Sequence, residues 1–138
     1  MKLIVNTDGL SKGNPGTAAI GATIKDEHGT LLATISQRIG ITTNNVAEYK
    51  ALIAALQKAK KMGGTIIEIR ADSELMIRQL SGRYKIKSEG LKPLYIEATQ
   101  LLTKFEAVSL KHIPRELNAE ADKLANDAVR YVYQKNSD

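Results

Sequence analysis

The stretch from Lys2 to Gly16 constrains the fold more than any other part of the chain. Leu3, Ile4 and Val5 are apolar in succession, the pattern of a strand covered on both faces, and so predict a layer on each side of a central sheet. The run ends on Asp8, and Gly9, Gly13, Pro15 and Gly16 follow, a composition that predicts a turn directly after the acid. A carboxylate at the end of a buried strand costs free energy unless a cation or hydrogen-bond donors satisfy it. Its partners must come from elsewhere in the sequence.

Two β-prone runs come next, Ala18 to Lys25 and Thr30 to Ile39, separated by Asp26, Glu27, His28 and Gly29. They predict an antiparallel meander of the first three strands. From Thr43 to Met62 small and apolar residues recur near helical period, and Gly63 with Gly64 stops the run. Thr65 to Ala71 predicts a fourth strand, and Ser73 an N-cap for a short helix ending near Gly82. The segment from Arg83 to Gly90 is basic and irregular. Leu91, Leu94, Tyr95, Ala98, Leu101, Leu102 and Phe105 then form an amphipathic stripe. Val108 to Ile113 predicts a fifth strand, ended by Pro114. A last helix is expected from about Leu117 to Tyr133, burying Leu117, Ala121, Leu124, Ala125, Ala128 and Val132. Strands first, then alternating helix and strand, predict an α/β fold with a mixed sheet.

Four acids stand at element ends. Asp8 closes the first strand, Glu48 lies near the start of the long helix, Asp72 closes the fourth strand, and Asp122 lies on the last helix. Strand parity puts Asp8 on one face with Ile4 and Asn6, and Asp72 with Ile66, Glu68 and Arg70, the more polar face in each case. If these strands are neighbours, the two carboxylates approach at one sheet edge. Taken singly, each acid is an ordinary capping or salt-bridged surface residue.

Asp8 and Gly9 with Asn14, Pro15 and Gly16; Thr43, Asn44 and Asn45 with Ala47 and Glu48; Asp72 with Ser73; and His112 with Asn118 and the run Ala121 to Ala125 follow in an order that resembles the type 1 ribonuclease H family. The resemblance covers nearly the whole chain. It implies the ribonuclease H-like three-layer α/β fold, a five-stranded mixed sheet in order 3-2-1-4-5 with about four flanking helices. It also implies cleavage of the RNA strand of RNA/DNA hybrids to 5′-phosphate and 3′-hydroxyl products. Asp8 is implied as the carboxylate shared by two ions, completed by Glu48 and Asp72 on one side and Asp122 on the other. Clustered carboxylates repel and push one another toward protonation, and hard divalent cations relieve this. All-oxygen ligation in a chain without cysteine suits Mg²⁺ or Mn²⁺.

The same resemblance gives His112 a part in proton transfer or product release, within reach of an imidazole's ordinary pKa near 6.5. Its loop resembles the family's shorter form. Asn14, Asn44, Asn45 and Thr43 are implied as substrate contacts; the small Gly13 lets the substrate-binding turn come close to the strand being cut, and Asn118, sharing one helical stripe with Asp122, is a candidate partner for the substrate, a carboxylate or a metal-bound water. Short amide side chains suit the wide minor groove of a hybrid, where 2′-hydroxyls mark the RNA strand. Arg83, Lys85 and Lys87 with Tyr84 form a basic patch that reads either as a phosphate track or as a plain surface loop.

A chain of 138 residues predicts one domain, here placed over residues 1–134 with a disordered tail at 135–138. A net charge of +5, with several acids gathered in one site, leaves a basic remainder that favours a polyanionic partner. Without cysteine there is neither a disulfide framework nor a thiolate metal site. With no apolar run approaching about 18 residues and no signal-peptide layout, a cytoplasmic, monomeric protein is expected. Two departures from the family, the absence of a longer basic protrusion and of an N-terminal hybrid-binding module, predict modest, salt-dependent affinity for the hybrid. Action on double-stranded RNA, or a non-catalytic nucleic-acid-binding module on the same fold, are the alternative readings.

Overall fold

The computed structural model describes residues 1–136, with side chains through residue 130. Its order is β1 (Lys2–Gly13), β2 (Gly16–Asp26), β3 (Leu31–Thr42), α1 (Asn44–Lys61), β4 (Ile66–Ala71), α2 (Glu74–Leu80), α3 (Lys92–Leu102), β5 (Ala107–His112), a 3-10 turn (Arg115–Asn118) and α4 (Ala119–Asn136). The strands form one sheet in order β3-β2-β1-β4-β5. β1, β2 and β3 pair antiparallel, and β4 lies parallel to both β1 and β5. This is the expected topology. The expected tail overlaps the last residues of α4 and otherwise lies outside the described residues.

The opening segment differs from its sequence reading. β1 does not turn after Asp8; it continues to Gly13, paired with β2 from Leu3↔Asp26 to Gly13↔Gly16. On its other side the parallel pairing with β4 stops at Thr7↔Ala71. Asp8 therefore sits where one neighbour ends and the other continues. The extension carries few apolar residues because its tip is solvated, and backbone pairing with β2 holds it.

The sheet is covered on both faces. Leu3, Val5, Ile24, Ile67 and Ile69 are buried under α1, whose Tyr49, Leu52, Ala55, Leu56 and Ala59 enter the same core. α3 packs outside α1 through Ala98, with Leu94, Tyr95, Leu101 and Leu102 half-buried beside it. The helix stops at Leu102, so Phe105, the last residue of the predicted stripe, is buried from the turn that follows.

α4 covers the opposite face against β1, β2 and β3 through Ala121, Ala125 and Val129. It rests directly on backbone, since a Cβ at Gly21 would lie 2.2 Å from the Ala121 carbonyl oxygen. Leu117 is not buried as expected; it is 69% exposed. The chain enters α4 through the 3-10 turn after Pro114, which shifts the phase and gives the buried position to Asn118. No helix among the described residues is long and apolar enough to cross a membrane.

Candidate active site

Asp8 and Asp72 each stand one residue beyond the last pair of the parallel strands, Thr7↔Ala71, and so emerge side by side at one sheet edge. Glu48 reaches them from the second turn of α1. That helix is capped by Thr43, whose Oγ1 accepts the Val46 N–H at 3.3 Å, and it crosses β1 at Gly9. A Cβ there would lie 2.2 Å from the Ala47 carbonyl carbon, so glycine permits the approach. The Gly9 N–H donates to Glu48 Oε1. Oxygens of Asp8, Glu48 and Asp72 lie within 4.8 Å of one another.

Asp122, in the first turn of α4, completes the group: it lines the same cleft of about 250 Å³. Asn44, Asn45, Leu10, Ser73 and Arg115 also line this cleft.

Burial and neighbouring charge dominate the electrostatics. Asp8 is pushed up to about 10, first by desolvation and then by the charges of Glu48 and Asp72. Glu48 is raised to about 7 by desolvation, against the lowering effects of the Gly9 N–H and the Arg115 guanidinium. Asp8 therefore retains its proton at neutral pH, as burial beside like charges demands. A hard divalent cation fits this all-carboxylate donor set.

The remaining predicted residues fall into three groups. Gly13 and Asn14 sit at the β1–β2 hairpin, which is tied to the start of α1: Asn14 Oδ1 accepts the Asn44 N–H at 3.1 Å, and Asn44 Oδ1 accepts the Ser11 N–H at 2.7 Å. Asn45 lines both the acid cleft and a neighbouring groove of about 540 Å³ bordered by Leu75, Tyr84, Lys85 and Lys87.

Asn118 does not reach the cleft. It is 1% exposed, donating to the Thr7 carbonyl at 2.8 Å and accepting from Asn6 Nδ2 at 3.1 Å. His112, paired opposite Ala71, is exposed and lines an adjacent pocket with Glu74, Arg78 and Arg83, outside the acid cleft. Arg115 was not singled out from sequence. Its one signal is a lone arginine directly after the strand-ending Pro114, and only tertiary structure brings it to the acids.

The fold and cleft define an α/β domain presenting four carboxylates at the edge of a parallel strand pair. A family model described as Reverse transcriptase-like matches residues 6–128. A ribonuclease HI of Halobacterium salinarum is 44% identical over 122 residues, covering 88% of this chain and 61% of that protein. A bifunctional protein of Mycobacterium tuberculosis is 45% identical over 130 residues, 94% of this chain and 36% of its own length. The chain thus spans only part of the length of these two relatives.

Among solved structures, RNase H1 of Halobacterium salinarum superposes with a TM-score of 0.92 at 42% identity, covering 94% of this chain and 98% of that one. LC11-RNase H1 in complex with RNA/DNA hybrid gives 0.90 at 43% identity, covering 95% and 99%. The chain belongs to the ribonuclease H-like, reverse-transcriptase-like family.

Proposed function

We propose that this chain is a metal-dependent endoribonuclease that hydrolyses the RNA strand of RNA/DNA hybrids. The observation that carries the reading is the convergence of Asp8, Glu48 and Asp72 within 4.8 Å, with Asp122 in the same cleft. The hybrid complex of a similar RNase H1 supports the substrate class.

Asp8, Glu48, Asp72 and Asp122 would hold two divalent ions, Mg²⁺ or Mn²⁺. The chemistry supplied there by bound ions would be activation of a water and neutralisation of charge on the reacting phosphate. The chain's own residues supply the rest. The Gly9 N–H fixes the Glu48 carboxylate. Arg115, the cation bordering the acids, offsets charge beside Glu48 and faces an approaching phosphate. The Asn14 and Asn44 contacts hold the hairpin beside the cleft, and Asn45 presents an amide toward the minor groove. The products are a 5′-phosphate and a 3′-hydroxyl.

Digestion of a strand-labelled hybrid, beside double-stranded RNA and double-stranded DNA, tests the reading. Cleavage of the hybrid's RNA strand in Mg²⁺ or Mn²⁺, lost in EDTA and in Asp8→Asn, is the expected result. No cleavage of any duplex with either metal would leave a binding module. Equal cleavage of double-stranded RNA would widen the substrate.

A further inference from the structure

The fourth carboxylate, Asp122, is held differently from Glu48. Glu48 takes a backbone N–H from Gly9, whereas Asp122 lies on a helix whose backbone is already immobilised. α4 rests on Gly21 through Ala121 and Ala125, and the Ser36 hydroxyl donates to the Leu124 carbonyl at 2.6 Å. What remains free at Asp122 is its side-chain rotamer.

One turn further along α4, Asn126 Nδ2 donates to Asp122 Oδ1 at 3.2 Å and to the Asp122 carbonyl at 2.9 Å. Its other amide atom, Oδ1, accepts from Lys12 Nζ at 3.2 Å. Lys12 lies at the end of β1, next to Gly13 of the hairpin. The two neighbours permit only one orientation of the amide, because an ammonium can only donate and a carboxylate only accept. Lys12 thus fixes which way Asn126 points, and Asn126 fixes the Asp122 carboxylate that borders Asp8.

We propose that Asn126 is a positioning residue for Asp122, and that Lys12 sets its orientation from the hairpin. This rests on the metal-dependent reading of the cleft. Asn126 touches neither substrate nor the reacting atoms; it preorganises the one carboxylate contributed by the far layer of the fold. Groups behind metal-binding side chains commonly change metal affinity or turnover by about 10- to 100-fold when removed.

The test compares wild type, Asn126→Leu and Lys12→Met. Leucine keeps the γ-branched shape of asparagine while removing both hydrogen-bonding functions, so at this half-buried position a residue that merely fills space tolerates it. Mn²⁺ affinity is read by titration calorimetry without nucleic acid, kcat and KM on a labelled hybrid, and melting temperature by circular dichroism. Asn126→Leu is expected to weaken Mn²⁺ binding and lower kcat by about tenfold, with KM and melting temperature little changed. Lys12→Met is expected to weaken Mn²⁺ binding in the same direction and less.

Mn²⁺ affinity and kcat within twofold of wild type in Asn126→Leu would overturn the proposal. So would lost activity with unchanged Mn²⁺ affinity and raised KM, since Asn126 would then act on the nucleic acid itself. A fall in Mn²⁺ affinity matched by a fall in melting temperature would make the residue structural and overturn it too. A wild type that binds Mn²⁺ but cuts no duplex would fail the proposed activity while leaving the role of Asn126 to be read from the metal titration.

Discussion

Asp8 and Glu48 carry the same physical conflict: both are buried carboxyls with like-charged neighbours. Their ordinary values of 3.8 and 4.5 apply to the unfolded chain, and the folded chain holds the protons to about 10 and about 7. A raised folded value means that folding is favoured by the protonated state, so this stability is complete below the unfolded pKa and is lost as pH rises through the folded one. The metal-free protein should therefore melt at progressively lower temperature from pH 5 to 9. Asp8→Asn should flatten that dependence and melt at or above wild type at pH 8 while losing cleavage. Calorimetry in EDTA checks this; a wild-type curve that rises with pH, or a large loss of stability in Asp8→Asn, would show Asp8 to be a structural anion instead. A simpler case is Thr23, whose buried hydroxyl has no hydrogen-bond partner among the described residues. Thr23→Val keeps the shape and removes the unpaired group, with an expected gain of about 1 kcal/mol in denaturant unfolding.

At the scale of elements, the site depends on how closely helices approach the sheet. α1 crosses β1 over Gly9, where a Cβ would lie 2.4 Å from the Glu48 nitrogen as well as against Ala47. Gly9→Ala forces α1 outward and carries Glu48 from the cleft. Overpacking of this kind costs about 1–3 kcal/mol, and a displacement near 1 Å at a reacting centre costs about 100-fold in rate. Cleavage assays beside urea melts should show a loss of activity out of proportion to the loss of stability; an active Gly9→Ala would mean that α1 has slack. The sequence carried the existence of these elements well. Apolar runs marked β1 and β4, and Thr43 and Ser73 cap α1 and α2 as their side chains suggest, accepting from Val46 and Met76.

Other features were not legible, each for a physical reason. The second half of β1 lacks a hydrophobic pattern because β2 stabilises it through the backbone. Leu117 lies outside because a 3-10 turn changes the period. Asp8, Glu48, Asp72 and Asp122 could be found because each sits at an element boundary and matches a familiar motif. Arg115 and Asn126 could not, since their contacts span the fold; Lys12 and Asn126 are 114 positions apart, and no local period records such a pair.

Across the whole molecule, charge is divided between an acidic cleft and a basic surround, in a chain of net charge +5. Asn45 borders both the cleft and the groove lined by Arg83, Tyr84, Lys85 and Lys87, so the two are contiguous. The Arg78 guanidinium lies 5.3 Å from the Tyr84 ring centre, which anchors the otherwise irregular segment. A duplex seated with one phosphate at the carboxylates would lay its neighbouring phosphates along these cations. Each phosphate neutralised releases counterions and adds about 0.7–0.9 to the slope of log affinity against log salt. The rate at low substrate should therefore fall steeply between 50 mM and 200 mM salt, through KM rather than kcat. Replacing Lys85 and Lys87 together by methionine should reduce that slope by up to about 2, raise KM at every salt concentration and leave kcat in place. Steady-state kinetics across a salt series decides it: a slope unchanged by the double substitution would remove this groove from the path of the nucleic acid and leave the cleft and hairpin as the only contacts.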